Sequence, residues 1–241
     1  MKRLFFYSSM PINSADTAIT ICSCAFRQIM NREAIGRLAT ALTHERQTVN
    51  VVPDLCRIAI TDARQMAEIA STTVVACYPR AVKSLFDSLG LQPKCVFDLR
   101  NHSTEQILDE MGISNPVFLP EQSFPDRLPD EEQEAWNPVI DRERCTNCGK
   151  CHDFCLFGVY SLSEGTVKVT QPRNCKNNCP ACARICPSKA IIFPKYEKSP
   201  VNGGLHDEEE AVEMNTKELY NTALKHKLEE RRAKVSLFKK D

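Results

Sequence analysis

The eight cysteines between Cys145 and Pro187 constrain this chain more than any other feature. The stretch reads C-T-N-C-G-K-C-H-D-F-C, then nineteen residues, then C-K-N-N-C-P-A-C-A-R-I-C-P. The first run is spaced C-x2-C-x2-C-x3-C. The second has three residues between its first two cysteines and then keeps the same pattern. Three thiols on one tight loop point toward a common centre, and the short gaps leave backbone N–H groups free to bond inorganic sulfur. A fourth thiol must then arrive from elsewhere to complete four corners. Structural zinc takes two C-x2–4-C pairs, or Cys with His, around a single ion. Three cysteines within seven residues, followed by a fourth, fit that poorly. Disulfides fit less well still, because no secretory signal accompanies the cysteines. The spacing predicts iron–sulfur cubanes.

These runs resemble those of bacterial two-[4Fe–4S] (dicluster) ferredoxins, in which the fourth cysteine of each run binds the other cluster. The resemblance implies one cluster, A, at Cys145, Cys148, Cys151 and Cys186. It implies a second, B, at Cys175, Cys179, Cys182 and Cys155. The flanks agree. Pro138-Val139-Ile140 reads as a short strand, and Ala190 to Phe193 as a closing one. Val159, Tyr160 and Leu162, then Val167 and Val169, alternate around Glu164-Gly165, a hairpin signal. Residues 138–194 therefore resemble the whole α+β dicluster fold. Two departures stand out: Cys155 is followed by Leu156 rather than proline, and the extra residue before Cys179 enlarges one loop. Neither removes a ligand.

Thirteen cysteines in 241 residues, with 31 basic and 31 acidic side chains, point to a reducing compartment and argue against a nucleic-acid binder. The apolar run Leu4 to Tyr7 is too short for a signal sequence, and no stretch reaches the length of a membrane span. A cytoplasmic protein is expected. Residues 138–200 carry ten Lys or Arg against five Asp or Glu. Each oxidised cluster with its four thiolates carries about −2, so the loaded module comes out near neutral. That composition favours a docked, subunit-like module over a free acidic shuttle.

Residues 1–111 read as an α/β domain with a small open parallel sheet and flanking helices. Ala18 to Ile21, Val49 to Val52, Thr73 to Ala76 and Val96-Phe97 are its strands. Ile35, Leu38, Ala39 and Leu42 mark one helix face. Thr61 or Asp62 caps a second helix through Met66 and Ile69. Pro79 opens a third that Gly90 closes. Ser103-x-x-Gln106 is a capping box for a fourth.

Cys22, Cys24, Cys56 and Cys77 all fall just beyond the carboxyl ends of three successive strands. In an open parallel sheet those ends share the rim where ligands bind. Cys95, at the start of its strand, belongs to the opposite rim and reads as an ordinary buried cysteine. The four could bind an iron–sulfur cluster or zinc, act as redox thiols, or be core residues. This C-x-C, a cysteine after the second strand, and V-V-A-C-Y-P-R before a helix ending in S-L-G-L resemble the N-terminal domain of the flavin-carrying subunit of heterodisulfide reductase. The resemblance spans about residues 17–110. It implies a third [4Fe–4S] cluster at Cys22, Cys24, Cys56 and Cys77. The chain has eight glycines and no G-x-G-x-x-G, so no flavin is expected.

Residues 112–137, with Pro116, Pro120, Pro125 and Pro129 among acids, read as an interdomain linker. Trp136 at its end reads as a packing anchor, and His152 beside Cys151 as an exposed side chain. Asn202-Gly203-Gly204 reads as a flexible joint before a charged helical tail, residues 201–241. That tail carries Tyr220, Leu224 and Leu228 on a narrow stripe that could dock on a partner. No nucleophile–base pair or phosphate loop is present, and no catalytic residue is assigned. The expected function is electron transfer, as an adapter between a donor and an acceptor oxidoreductase. The alternative is a component of an enzyme that reduces a disulfide or small substrate at the N-terminal four-cysteine site.

Overall fold

The structure, a computed structural model, describes residues 18–27, 29–118 and 135–204. The N-terminal segment, the middle of the expected linker and the charged tail lie outside these residues.

Four strands, β1 (Ile19–Cys22), β2 (Val49–Val52), β3 (Thr73–Ala76) and β4 (Cys95–Asp98), form a parallel sheet in the order β2-β1-β3-β4. Ile19 pairs with Val49 on one side and Thr73 on the other. The two central strands are buried at every residue, as a parallel sheet covered on both faces requires.

The helices follow from their caps. Helix α1 (Arg32–His44) starts at Asn31, whose side chain accepts from the Ala34 N–H, and it buries Ile35, Leu38 and Leu42. Helix α2 (Leu55–Thr61) has no counterpart among the elements expected from sequence; Asp54 caps it, accepting from the Arg57 N–H. Of the two residues that could cap α3 (Ala63–Ala70), Asp62 does so. Thr61 ends α2 and donates its hydroxyl to the Arg57 carbonyl. Pro79 opens α4 (Pro79–Asp87), and the chain leaves it through Gly90 at φ +70°. The capping box expected at Ser103 and Gln106 is formed at α5 (Thr104–Glu110).

The cysteine runs lie between β5 (Val139–Ile140) and β8 (Ile191–Ile192), which pair antiparallel. Strands β6 (Tyr160–Ser163) and β7 (Thr166–Val169) form a hairpin whose two turn residues, Glu164 and Gly165, both have positive φ. Two short helices, α6 (Lys150–Phe154) and α7 (Ala181–Ile185), repeat one device. Each carries the third cysteine of its run, Cys151 or Cys182, and ends on the fourth, Cys155 or Cys186, as its C-cap. Trp136 is buried and stacks on Phe193 at 5.3 Å between ring centroids, the packing role its position implied.

Residues from both halves share one core. Val139 and Ile192 pack into the same buried cluster as the parallel sheet. Two expectations change here. Asn202-Gly203-Gly204 is a packed turn rather than a loose joint. Asn202 is fully buried, and a Cβ on Gly203 would lie 2.7 Å from the Ala81 Cβ on α4. Cys95 is exposed rather than buried, because it opens an edge strand where the apolar residues of β4, Phe97 above all, are those further along.

Candidate metal centres

Cys145, Cys148, Cys151 and Cys186 line one cavity with Asn147, Gly149 and Ser188. Three come from the first run and one from the end of the second, 35 residues further on (186 − 151). The loops are held by local polar contacts. Asp141 Oδ1 accepts from the backbone N–H groups of Glu143 and Arg144, and Asn147 Oδ1 accepts from the Val167 N–H at 3.2 Å. Asn147 and Gly149 take left-handed backbone conformations that let the chain turn between cysteines. The Ala190 N–H donates to Cys186 Sγ at 3.3 Å. Burial pushes the Cys151 thiol up to about 11, with Cys186 and Cys145 adding to the rise.

The remaining four of this region also converge. Burial pushes Cys175 up to about 12, with Cys179 and Cys155 close enough to add to it. Cys182 also rises to about 12, first through burial. The Tyr160 hydroxyl donates to Cys182 Sγ at 3.0 Å and partly offsets that rise. Cys155, from the first run, again joins three cysteines of the second.

The extra residue of the second run has a structural role. Asn178 sits in the enlarged Cys175–Cys179 loop at φ +61° and accepts a hydrogen bond from the guanidinium of Arg27. Arg27 follows Cys24 on the other half of the molecule and also lies 5.1 Å from the Trp136 ring centroid. The added length reaches the α/β half.

Cys22, Cys24, Cys56 and Cys77 line a third cavity at the carboxyl rim of the sheet. Cys22 ends β1 and Cys77 follows β3, as the strand order implied. Cys56 lies in the first turn of α2, and Cys24 sits at φ +48°. Three of the four are nearly fully buried, Cys22 at 7% exposure and Cys24 and Cys56 each at 9%, and Cys77 is partly buried. The Leu55 N–H donates to Cys22 Sγ at 3.4 Å. Burial lifts all four thiols, Cys24 to about 11, Cys77 to about 12, Cys22 and Cys56 well above the ordinary range.

Sequence reasoning missed three residues here. Asp54, besides capping α2, pairs through its other oxygen with Lys195 Nζ, and both side chains are buried. Lys195 lies just past β8, in the cysteine-run half, yet it lines the rim cavity. Its burial opposes its charge, but Cys56 and Asp54 outweigh that and hold the ammonium above its usual range. Arg100 stacks over the Tyr78 ring at 4.7 Å and donates to the Glu197 carbonyl at 3.3 Å. Its buried Nη1 has no hydrogen-bond partner among the described residues. No signal in the chain could pair Asp54 with Lys195 across 141 positions.

The donor sets consist of thiols, the soft ligands that iron–sulfur groups take. Every cysteine is free. Among the described residues, no three of His, Cys, Asp and Glu gather tightly enough for one metal ion. Twelve thiols, half of them buried and three of their sulfurs bonded by N–H or O–H donors, match the environment of iron–sulfur ligands.

That environment, on two short α6-type helices flanked by a strand pair and a hairpin, defines a ferredoxin-type domain. Comparison with known proteins agrees. No family model matches the chain. An uncharacterized ferredoxin of Methanocaldococcus jannaschii is 49% identical over 67 residues, 27% of this chain and 45% of that protein. The chain thus spans less than half of that relative. A second uncharacterized ferredoxin of the same organism is 34% identical, with 74% of its length covered. Its pyruvate synthase subunit PorD is also 34% identical, with 73% covered. Ferredoxin-3 of Nostoc is 31% identical over 87% of its length. The chain belongs to the ferredoxins, through a segment of about a quarter of its length. No helix among the described residues is long and apolar enough to cross a membrane.

Proposed function

We propose that this protein relays single electrons between a donor and an acceptor oxidoreductase, in the cytoplasm, as an adapter or subunit with three [4Fe–4S] clusters and no flavin. Cys145, Cys148, Cys151 and Cys186 hold one cluster. Cys155, Cys175, Cys179 and Cys182 hold the second. Cys22, Cys24, Cys56 and Cys77 hold the third. The observation that carries the reading is the exchange of fourth cysteines: Cys186 lines the cavity of the first run, and Cys155 stands among the cysteines of the second. When bound, the clusters supply one-electron chemistry. The chain contributes hydrogen bonds to sulfur, burial and fixed charge, which set the potentials.

The layout 1–111, 112–137, 138–200 and 201–241 describes how the parts serve this role, with the last segment as a docking element. The relative named as a pyruvate synthase subunit supports membership in an oxidoreductase complex. Beside Cys155, Leu156 is 84% exposed and Phe157 is also exposed, an apolar surface suited to a redox partner. The alternative, disulfide reduction at the rim, has less support. A reactive thiol needs access and a lowered pKa, whereas three of the four rim thiols are buried and all four are shifted upward.

Iron counting on anaerobically purified protein, with redox titration followed by electron paramagnetic resonance, tests the proposal. About twelve irons per chain in three titrating signals is expected from three four-iron clusters. About eight leaves the rim without iron, and clusters that never cycle overturn the relay.

A further inference from the structure

The rim cavity is lined by residues from both halves. Its four cysteines and Asp54 belong to the parallel-sheet half, whereas Pro194 and Lys195 follow β8. Asp54 is a poor neighbour for an anionic group. Its carboxylate is buried, lies two residues from Cys56, and acts on the thiols of Cys22, Cys24 and Cys56. A cluster with four thiolates carries about −2, so a bare carboxylate in the same low-dielectric lining would repel it strongly. Lys195 cancels that charge. Its ammonium is paired to Asp54 and sits 5.2 Å from the Phe26 ring centroid, among apolar neighbours rather than in water.

We propose that Lys195 is an electrostatic positioning residue for the rim site, supplied by the cysteine-run half, and that it makes the third cluster a composite of both halves. Neutralised by Lys195, Asp54 is free to cap α2 and so fix Cys56 without opposing the bound anion. Arg100, with its buried Nη1 unpaired among the described residues, adds a further positive group near Cys24 and Cys77. The consequence is selective. Accepting one electron makes the rim group more negative by one charge, with no proton moved and no bond broken. Any change in the net charge of the Asp54–Lys195 pair therefore shifts its reduction equilibrium, while the other two clusters, outside this lining, are unaffected. The inference rests on reading the rim as a cluster site.

The test uses full-length, anaerobically purified protein titrated with a low-potential one-electron reductant, with iron counted in each variant. Lys195→Met leaves Asp54 uncompensated. It should shift the rim reduction equilibrium at least tenfold toward the oxidised form, 59 mV for one electron, or strip about four irons. Asp54→Asn keeps an N-cap residue and leaves Lys195 unopposed, so it should shift the equilibrium the other way. The double variant Asp54→Asn/Lys195→Met should return toward wild type. A residue that merely holds the fold together would not give opposite shifts and a rescue confined to one of three signals. Should Lys195→Met fail to fold, Asp54→Asn and the double variant still decide the matter. Twelve irons with all variants at the wild-type rim potential would overturn this inference alone. Eight irons in the wild type, unchanged by Cys56→Ala, would overturn the third cluster itself.

Discussion

Arg80, the second residue of α4, donates from Nε to Asp141 Oδ2 at 2.7 Å. The helix that starts just after Cys77 is thereby tied to the residue that precedes the Cys145 loop. The same guanidinium reaches the carbonyls of Lys189, three residues past Cys186, and of Pro200. One side chain thus fixes the rim cysteines against the loops of the first ferredoxin set. Both partners are largely buried, at 17% and 9% side-chain exposure. Removing the guanidinium leaves the carboxylate short of its main counter-ion. Arg80→Met should cost about 3 kcal/mol of stability, read as a lowered denaturation midpoint of the loaded protein.

The enlarged second loop makes a milder prediction. Asn178→Ala loses the acceptor for Arg27 and places alanine at φ +61°. The two effects together should cost roughly 1–2 kcal/mol. Iron content should not change, because no ligand is lost. A fall in iron would show that the loop length serves the cluster rather than the contact with the α/β half.

Tyr160 donates to the sulfur of Cys182 from a buried position. A hydrogen bond to a ligand sulfur favours the more negative, reduced state. Tyr160→Phe should therefore lower the potential of the second cluster. A bond of about 1 kcal/mol corresponds to roughly 40 mV for one electron, visible in a redox titration with the first cluster unmoved.

The exchanged cysteines give a ligand test. Cys186→Ala lies in the second run yet should disturb the cluster whose other ligands are Cys145, Cys148 and Cys151. Cys155→Ala should disturb the other. Each should change one resonance signal and leave its partner intact. Loss of the second run's own signal on Cys186→Ala would contradict the exchange.

Metal removal should create a new pH dependence. In the metal-free chain, burial raises Cys24 from 9.0 to about 11 and Cys77 to about 12. Below pH 9 both folded and unfolded chains keep these protons, so the thiols contribute no slope. Above pH 9 the unfolded chain releases them while the folded chain retains them, and stability falls as pH rises toward 11–12. Denaturation of chelator-treated protein between pH 8 and pH 11 should show that decline. The loaded protein should not, because iron has replaced those protons.

Much of the fold was legible because its signals are local. The β1 to β4 strands, the Ser103 capping box, the Pro79 start and the Glu164-Gly165 turn each depend on a few neighbouring residues. Helix α2 was not legible, since its seven residues are too few to show a clear period and its cap doubles as an ion-pair partner. Cys95 was misread because nothing nearby marks β4 as an edge strand.

The chain alone specified twelve thiols and the strand ends that gather four of them, because ligand spacing and alternation are written within short windows. Folding alone decided that Lys195 enters the rim cavity, that Arg80 bridges two cysteine loops, and that Asn178 meets Arg27. Those partners are 141, 61 and 151 positions apart. A charge buried away from water must find its counter-ion in three dimensions, and only the packed core brings them together.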